Sequence, residues 1–208
     1  MTPDDDRLQH LRNSIPPSAS DTLLGSWGYS LIDEYLRIIQ EASLPSGSDT
    51  LELATGSGRM TAVLTRLGYR VLTGDASDER QCQAWQRVTP EFAPLVEMSL
   101  LEMEFLPIRD ASIDAIVCLN TLHELLQPRK CLSELLRIHN PAGTLILGDF
   151  NETGFDVMQR LHQATDRSDH PRGTLRITNV EQIIKRTYSE VRTVVTPLNI
   201  IYIASCKK

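Results

Sequence analysis

From Asp21 to Glu41 the apolar residues Leu23, Leu24, Trp27, Leu31, Ile32, Tyr35, Leu36 and Ile39 recur at helical spacing. Gly25 and Gly28 weaken the first half of that helix. Residues 1 to about 20 are polar and end in Pro16-Pro17-Ser18, which reads as a short helix or arm and then a break. After Leu44-Pro45-Ser46-Gly47 the pattern alternates. Thr50–Ala54 is apolar and strand-like, Arg59–Leu67 is helical and closed by Gly68, Tyr69–Thr73 is a strand, and Ser77–Arg87 is a helix. Leu95–Met98 is a short strand. Ile113–Leu119 is a nearly continuous apolar run, the form of a strand covered on both faces. Pro128–Ile138 is a helix with proline in its first turn. Asn140-Pro141-Ala142-Gly143 reads as a turn, and Thr144–Gly148 as the next strand.

Beyond Asp149 the rhythm changes. Gly154–Ala164 is expected to be helical, and Thr165–Ile177 is polar and irregular. Thr178-Asn179-Val180-Glu181 has the form of a capping box that opens a helix to about Arg186. Glu190–Thr196 and Ile200–Cys206 are β-rich and separated by Pro197-Leu198-Asn199, too short a link for a parallel crossover, so they form an antiparallel hairpin. Strands alternating with helices predict an α/β fold, a doubly wound parallel sheet with helices on both faces in a three-layer αβα arrangement.

Composition narrows the function. The 208 residues suit one domain with a sizeable core. A net charge of -6 argues against nucleic acid as the main partner. No apolar run is long enough to span a membrane. The opening MTPDDDRLQH lacks the basic-then-apolar layout of a signal peptide, so a cytoplasmic location is expected. Cys82, Cys118, Cys131 and Cys206 form no C-x-x-C pair, and no histidine cluster stands at zinc spacing, so no metal is expected. Oligomeric state is not legible.

The stretch TLELATGSGRM, Thr50 to Met60, carries the chemistry. Gly56 and Gly58 sit where the first strand hands over to a helix, at the sheet edge where ligands of doubly wound folds bind. Glycine there removes a Cβ and allows positive φ. Asp75 ends the second strand, about 20 residues farther on, where a carboxylate accepts from ribose hydroxyls; its structural alternative is capping the next helix, a role open equally to Ser77. A nicotinamide-binding turn fits these features too, but Thr61 stands where that fingerprint wants Gly or Ala.

Four ordered stretches, LELATGSGRMTAVL, VLTGDAS, FLPIRDASIDAIVCLNTLHEL and PRKCLSELLRIHNPAGTLILGDF, resemble the class I S-adenosylmethionine-dependent methyltransferases. They run from Leu51 to Phe150, roughly half the chain. The resemblance implies a Rossmann-like sheet of seven strands, mostly parallel, with the C-terminal strand antiparallel. It implies a helical lid over residues 1–44 and a cofactor-binding domain over 45–208, one compact domain overall. By the same resemblance Glu52, Ala54, Gly56 and Gly58 wrap the methionine part of S-adenosylmethionine, and Asp75, with Ala76 beside it, holds the ribose. Glu102 and Met103 lie in the stretch that contacts adenine, and Asn120 faces the cofactor's amino acid and the substrate. Ala54 replaces a common glycine, a change tolerable if φ is negative there. The A-x-G-x-G form is similar to that of quinone-biosynthesis methyltransferases.

Methyl transfer from a sulfonium needs mainly positioning and desolvation. The expected acceptor is a small molecule. The alternatives are a protein or RNA acceptor and a non-catalytic cofactor-binding module. No asparagine-proline-proline-aromatic tetrapeptide of amino-methylating nucleic-acid enzymes is present. Should a general base be needed, His123 and Glu124, expected at the mouth of the crevice after the fourth strand, and Asp149, ending the fifth, are the catalytic candidates. Asp149 has the alternative of capping the helix near Gly154. Trp27 and Tyr29 either sandwich a planar substrate or pack their helix. His162, Arg167, His170, Arg172 and Arg176 either bind an anionic group or belong to a solvated loop.

Overall fold

Thr50 to Leu53 are buried without alternation, as a parallel strand covered on both faces requires; with Asp49 they form β1 (Asp49–Leu53). In the computed structural model residues 3–208 are described; Met1 and Thr2, the start of the expected lid segment, lie outside the described residues. The chain divides into two compact units, Met1–Leu100 and Leu101–Lys208.

The first unit holds α1 (Pro3–Asn13), α2 (Ala19–Ser26), α3 (Leu31–Ala42), β1, α4 (Arg59–Arg66), β2 (Arg70–Asp75), α5 (Asp78–Val88) and β3 (Val96–Leu100). Its strands lie in the order β3-β2-β1, all parallel. The single helix expected over 21–41 is two helices. Gly28 takes φ +84, a conformation that breaks a helix, and Ser30 restarts it by accepting the Asp33 N–H at 3.2 Å. α3 buries Leu31, Ile32, Tyr35, Leu36, Ile38 and Ile39, each burial being worth about 1.5–3 kcal/mol for a large apolar side chain.

The N-terminal helices are fastened by charge. Ser18 caps α2, and Asp21, three residues on, returns the bond by accepting the Ser18 N–H at 2.7 Å. Asp21 also pairs with Arg59 at 2.6 Å and Arg87 at 2.7 Å, both partly or fully buried. Burial opposes ionisation of Asp21, but the two arginines and the Ser18 amide outweigh it and hold its pKa well below the usual carboxylate range.

The second unit holds β4 (Ile113–Leu119), α6 (Pro128–Ile138), β5 (His139–Phe150), α7 (Glu152–Ala164), α8 (Ile177–Thr187), β6 (Tyr188–Val195) and β7 (Asn199–Lys207). The order is β4-β5-β7-β6. β4 and β5 are parallel, and β7 runs antiparallel to both neighbours. The fold class is therefore the expected one, a seven-stranded mixed sheet with helices and an antiparallel C-terminal strand.

Three local expectations are corrected. Asn140–Gly143 is not a turn before β5 but lies within it, as an irregularity between the Ile113–His139 and Ala115–Thr144 pairings. Gly143 is needed there, since a Cβ would stand 2.3 Å from the Asp114 carbonyl oxygen. Thr178 lies inside α8; the helix opens at Arg176, whose N–H donates to Asn179 Oδ1. Asn151, not Asp149, caps α7 by accepting the Gly154 N–H at 2.8 Å.

Candidate functional site

In the first unit the residues of the glycine turn converge at the carboxyl ends of β1 and β2. The Ala54 and Thr55 N–H groups donate to the Gly74 carbonyl at 2.9 and 3.2 Å, which carries the chain out of β1 along the end of β2. Asp75 then clamps the turn from the side. One carboxylate oxygen accepts the Gly56 N–H at 2.9 Å and the other accepts the Ser77 N–H at 3.0 Å. Each oxygen retains a further acceptor site. Ser77 is the cap of α5, so Asp75 is spared that role.

The two glycines do different work. A Cβ on Gly56 would meet nothing closer than the Ala54 carbonyl oxygen at 3.8 Å, so the turn is open above it. A Cβ on Gly58 would stand 2.7 Å from the Cα and Cβ of Ala84 in α5. Gly58 therefore serves helix packing as well as its own φ of +73. Ala54 does not meet the condition of negative φ: it sits at φ +64, in the left-handed region, where its methyl group costs on the order of 1 kcal/mol.

Glu52 is 3% exposed. Burial pushes its pKa up to about 7, against the lowering pull of the hydroxyls of Thr61 and Thr73. Thr61, fully buried, donates to Glu52 Oε2 at 2.5 Å. The residue that breaks the nicotinamide fingerprint is thus the partner of the motif's own acid. Ala76 follows Asp75 in the β2–α5 connection. Trp27 ends α2 and Tyr29 follows it, both half-buried.

In the second unit Glu102 is exposed in the turn after Leu101, its carbonyl accepting the Phe105 N–H at 3.0 Å, and Met103 beside it is buried. Asn120 follows β4 at φ +54, a conformation asparagine tolerates, and its N–H donates to the Gly148 carbonyl at 3.0 Å.

His123 and Asp149 are brought together, but not at an open mouth. They are 2% and 1% exposed. Asp149 Oδ1 lies 2.7 Å from His123 Nδ1 and accepts the Phe150 N–H at 2.9 Å, while Oδ2 accepts the His123 N–H at 3.0 Å. A carboxylate so placed fixes the proton on Nδ1 and the lone pair on Nε2. The His123 ring packs among Phe150, Phe155 and His170 at centroid distances of 5.5, 5.3 and 4.8 Å. Glu124, with its side chain 34% exposed, places Oε1 3.8 Å from His123 Nε2.

The 165–176 segment carries no helix or strand, as expected, yet it is no freely solvated loop. His170 is 7% exposed, and a Cβ on Gly173 would lie 2.6 Å from the His123 backbone. Arg172 is paired with Glu152 and Asp156 and faces the Phe155 ring; Arg176 lies 4.7 Å above the same ring. The proximity of His170 to His123 has no sequence signal, since the two lie far apart in the chain. The Asp21 fastener had one, the Ser18-x-x-Asp21 capping spacing.

Residues 51–147 match the family model of the methyltransferase domain. That stretch contains Glu52, the glycine turn and Asp75 in the order just described. Over these residues the chain is thus similar to the methyltransferase domain. The chain is 30% identical over 115 residues to a demethylmenaquinone methyltransferase of Clavibacter sepedonicus, covering 55% of this chain and 46% of that one. It is 27% identical over 127 residues to one of Paenarthrobacter aurescens, covering 61% and 48%. The chain thus spans about half the length of these curated relatives. A solved structure of a SAM-dependent methyltransferase from Aquifex aeolicus shares the fold, with TM-score 0.64 and 22% identity over 95% of this chain and 97% of that one. Among the described residues no helix is long and apolar enough to cross a membrane.

Proposed function

We propose that the protein transfers a methyl group from S-adenosylmethionine to a small-molecule acceptor. One observation carries the reading: the methyltransferase-domain match covers a glycine turn that is open above Gly56 and clamped by Asp75. Gly56 and the remaining acceptor sites of Asp75 would hold the nucleoside, with Ala54, Ala76 and Gly58 shaping the turn and Glu52 beneath it. Glu102, Met103 and Asn120 are proposed for the adenine and amino-acid ends, as the motif positions imply. The cofactor supplies an activated methyl group; the protein positions the acceptor in line and keeps water away.

A small acceptor is supported by the net charge of -6, which disfavours a phosphate backbone. The curated relatives named demethylmenaquinone methyltransferase support a planar ring acceptor, a quinol or phenol. Asp149 already accepts three N–H groups, so it acts on His123 rather than on substrate. Should the acceptor need a base, His123 Nε2 is the group whose lone pair Asp149 preserves.

Calorimetric titration with S-adenosylhomocysteine, with NADH as control, tests the cofactor. Binding of the first alone is expected, and binding of neither would sink the reading. Asp75→Ala is expected to weaken that binding by roughly 1.5 to 3 kcal/mol, the scale of lost charge-assisted hydrogen bonds. Transfer of labelled methyl groups to planar phenols and quinols tests the acceptor; binding without turnover on any acceptor would favour a cofactor-binding module instead.

A further inference from the structure

His123, Glu124 and His170 each offer a ligand atom, and the three atoms lie within 4.8 Å of one another. We propose that these residues form a binding site for a zinc-class divalent cation that ties the 165–176 segment to the end of β4. The site lies wholly within the second unit and uses the His123 Nε2 lone pair, so an ion bound there takes the place of the general-base role; it does not depend on which acceptor is methylated.

The first support is unsatisfied chemistry. His123 Nε2 and His170 Nε2 are both buried and have no hydrogen-bond partner. Leaving such groups unpaired costs about 1–3 kcal/mol each. A cation between them satisfies both at once. Zinc takes nitrogen ligands at about 2.0–2.1 Å in a tetrahedron, so ligand atoms end about 3.3 Å apart. The 3.8 Å between His123 Nε2 and Glu124 Oε1 needs a closure of about 0.5 Å to reach this, and the widest separation, up to 4.8 Å, one of about 1.5 Å at most.

The second support is the surrounding shell. Asp149 holds the His123 Nδ1–H, the carboxylate–histidine arrangement that orients a metal-binding imidazole. His170 is oriented in the same way, with Nδ1 3.3 Å from His162 Nε2, and His162 Nδ1 lies 2.7 Å from the Ser168 carbonyl. The His170 ring packs between those of His123 and His162 at centroid distances of 4.8 and 4.7 Å, which holds it in place. Arg172 is the nearby cation that opposes the site; Glu152 and Asp156 offset it at 2.8 and 2.6 Å.

The donor set selects the metal class. Two imidazoles and one carboxylate suit zinc, cobalt or nickel, whereas calcium and magnesium want oxygen ligands throughout. Three protein ligands leave a fourth position, and the partly exposed Glu124 gives the ion a route in. Spacing did not reveal the site because His170 arrives from a segment distant in sequence, seated over His123 by the positive φ of Gly173.

The test uses the full, tag-free chain after chelator dialysis, titrated with Zn2+ and with Co2+. One saturable equivalent and the absorption of tetrahedral Co2+ are expected. Glu124→Gln and His170→Gln should each weaken binding about 10-fold or more, the scale of losing a ligand or its support. Glu124→Gln changes a partly exposed side chain, so its metal-free melting temperature should match the parent and keep the test independent of folding. The exposed thiols Cys82 and Cys206 are controlled by a Cys82→Ser/Cys206→Ser variant, which should bind unchanged. No saturable binding, binding unaffected by both ligand variants, or binding lost with the cysteines would each overturn the proposal. None of these results bears on S-adenosylhomocysteine titration, so the two readings fail separately.

Discussion

The Thr61 hydroxyl donates to the buried carboxylate of Glu52 over 2.5 Å. The residue that departs from the nicotinamide fingerprint is here a hydrogen-bond partner of the buried acid beneath the glycine turn. Desolvation and this bond pull the acid in opposite directions, and desolvation wins, raising the pKa from 4.5 to about 7.

That shift sets a pH dependence. The folded protein binds a proton at Glu52 more tightly than the unfolded chain does. The stability it contributes is complete below about pH 4.5 and is lost as pH rises through about 7, a change of about 3 kcal/mol at most. His139, buried against the Tyr188 hydroxyl, has its pKa lowered to about 4 by burial and by Lys207. Its contribution is complete above about pH 6.5 and is lost as pH falls through about 4, the opposite slope. Urea denaturation of the parent and of Glu52→Gln between these limits separates them: the difference should decline with pH. A flat difference would show that Glu52 is ionised throughout.

The two glycines of the turn should respond differently to alanine. Gly58→Ala drives a Cβ to 2.7 Å from Ala84 and should lower stability by about 1–3 kcal/mol or more, the scale of overpacking. Gly56→Ala brings its Cβ no nearer than 3.8 Å to a protein atom, the Ala54 carbonyl oxygen, and should cost only its conformational strain, about 1–2 kcal/mol, while weakening S-adenosylhomocysteine binding. Thermal melts paired with calorimetry distinguish the two. Equal losses of stability from both would contradict the packing role of Gly58.

Ala54 carries strain that glycine would relieve. Ala54→Gly removes the left-handed penalty at φ +64 and adds unfolded-chain entropy, with a net stabilisation of up to about 1 kcal/mol. A higher urea midpoint with an unchanged slope is the expected result. Destabilisation would mean that the methyl group makes contacts worth more than the strain.

Asp21 fastens α2 to α4 and α5 through Arg59 and Arg87. Asp21→Ala leaves Arg87, 5% exposed in its side chain, without its carboxylate, and should cost about 3–5 kcal/mol. Because the Asp21 pKa is depressed, the stability it gives is present above the ordinary carboxylate range and lost on acidification below it. Limited proteolysis near Pro16-Pro17 should accelerate in the variant. Unchanged cleavage and stability would show that apolar packing alone holds these helices.

Local pattern was sufficient for β4 and α6, whose limits agree with the expected 113–119 and 128–138. An unbroken apolar run and a proline at the start of a helix are signals that tertiary contacts seldom override. The antiparallel C-terminal hairpin was legible for a similar reason, since three residues cannot make a crossover. The α2–α3 break was harder to see: Gly28 and Ser30 together end one helix and start another, and either alone is compatible with a continuous pattern.

The sequence by itself determined the alternation of strands and helices, the antiparallel end and the motif that places Glu52, Gly56 and Asp75 at the ends of two parallel strands. These follow from periods and short spacings, which the chain carries locally. The tertiary structure alone decided that Ala54 is strained, that Gly58 yields to Ala84, that Thr61 serves Glu52, and that His123 turns inward to meet His170. Each of these depends on which distant atom occupies a given space. A backbone dihedral, a clash or an orphaned imidazole nitrogen is fixed by packing in three dimensions, and linear spacing does not encode it.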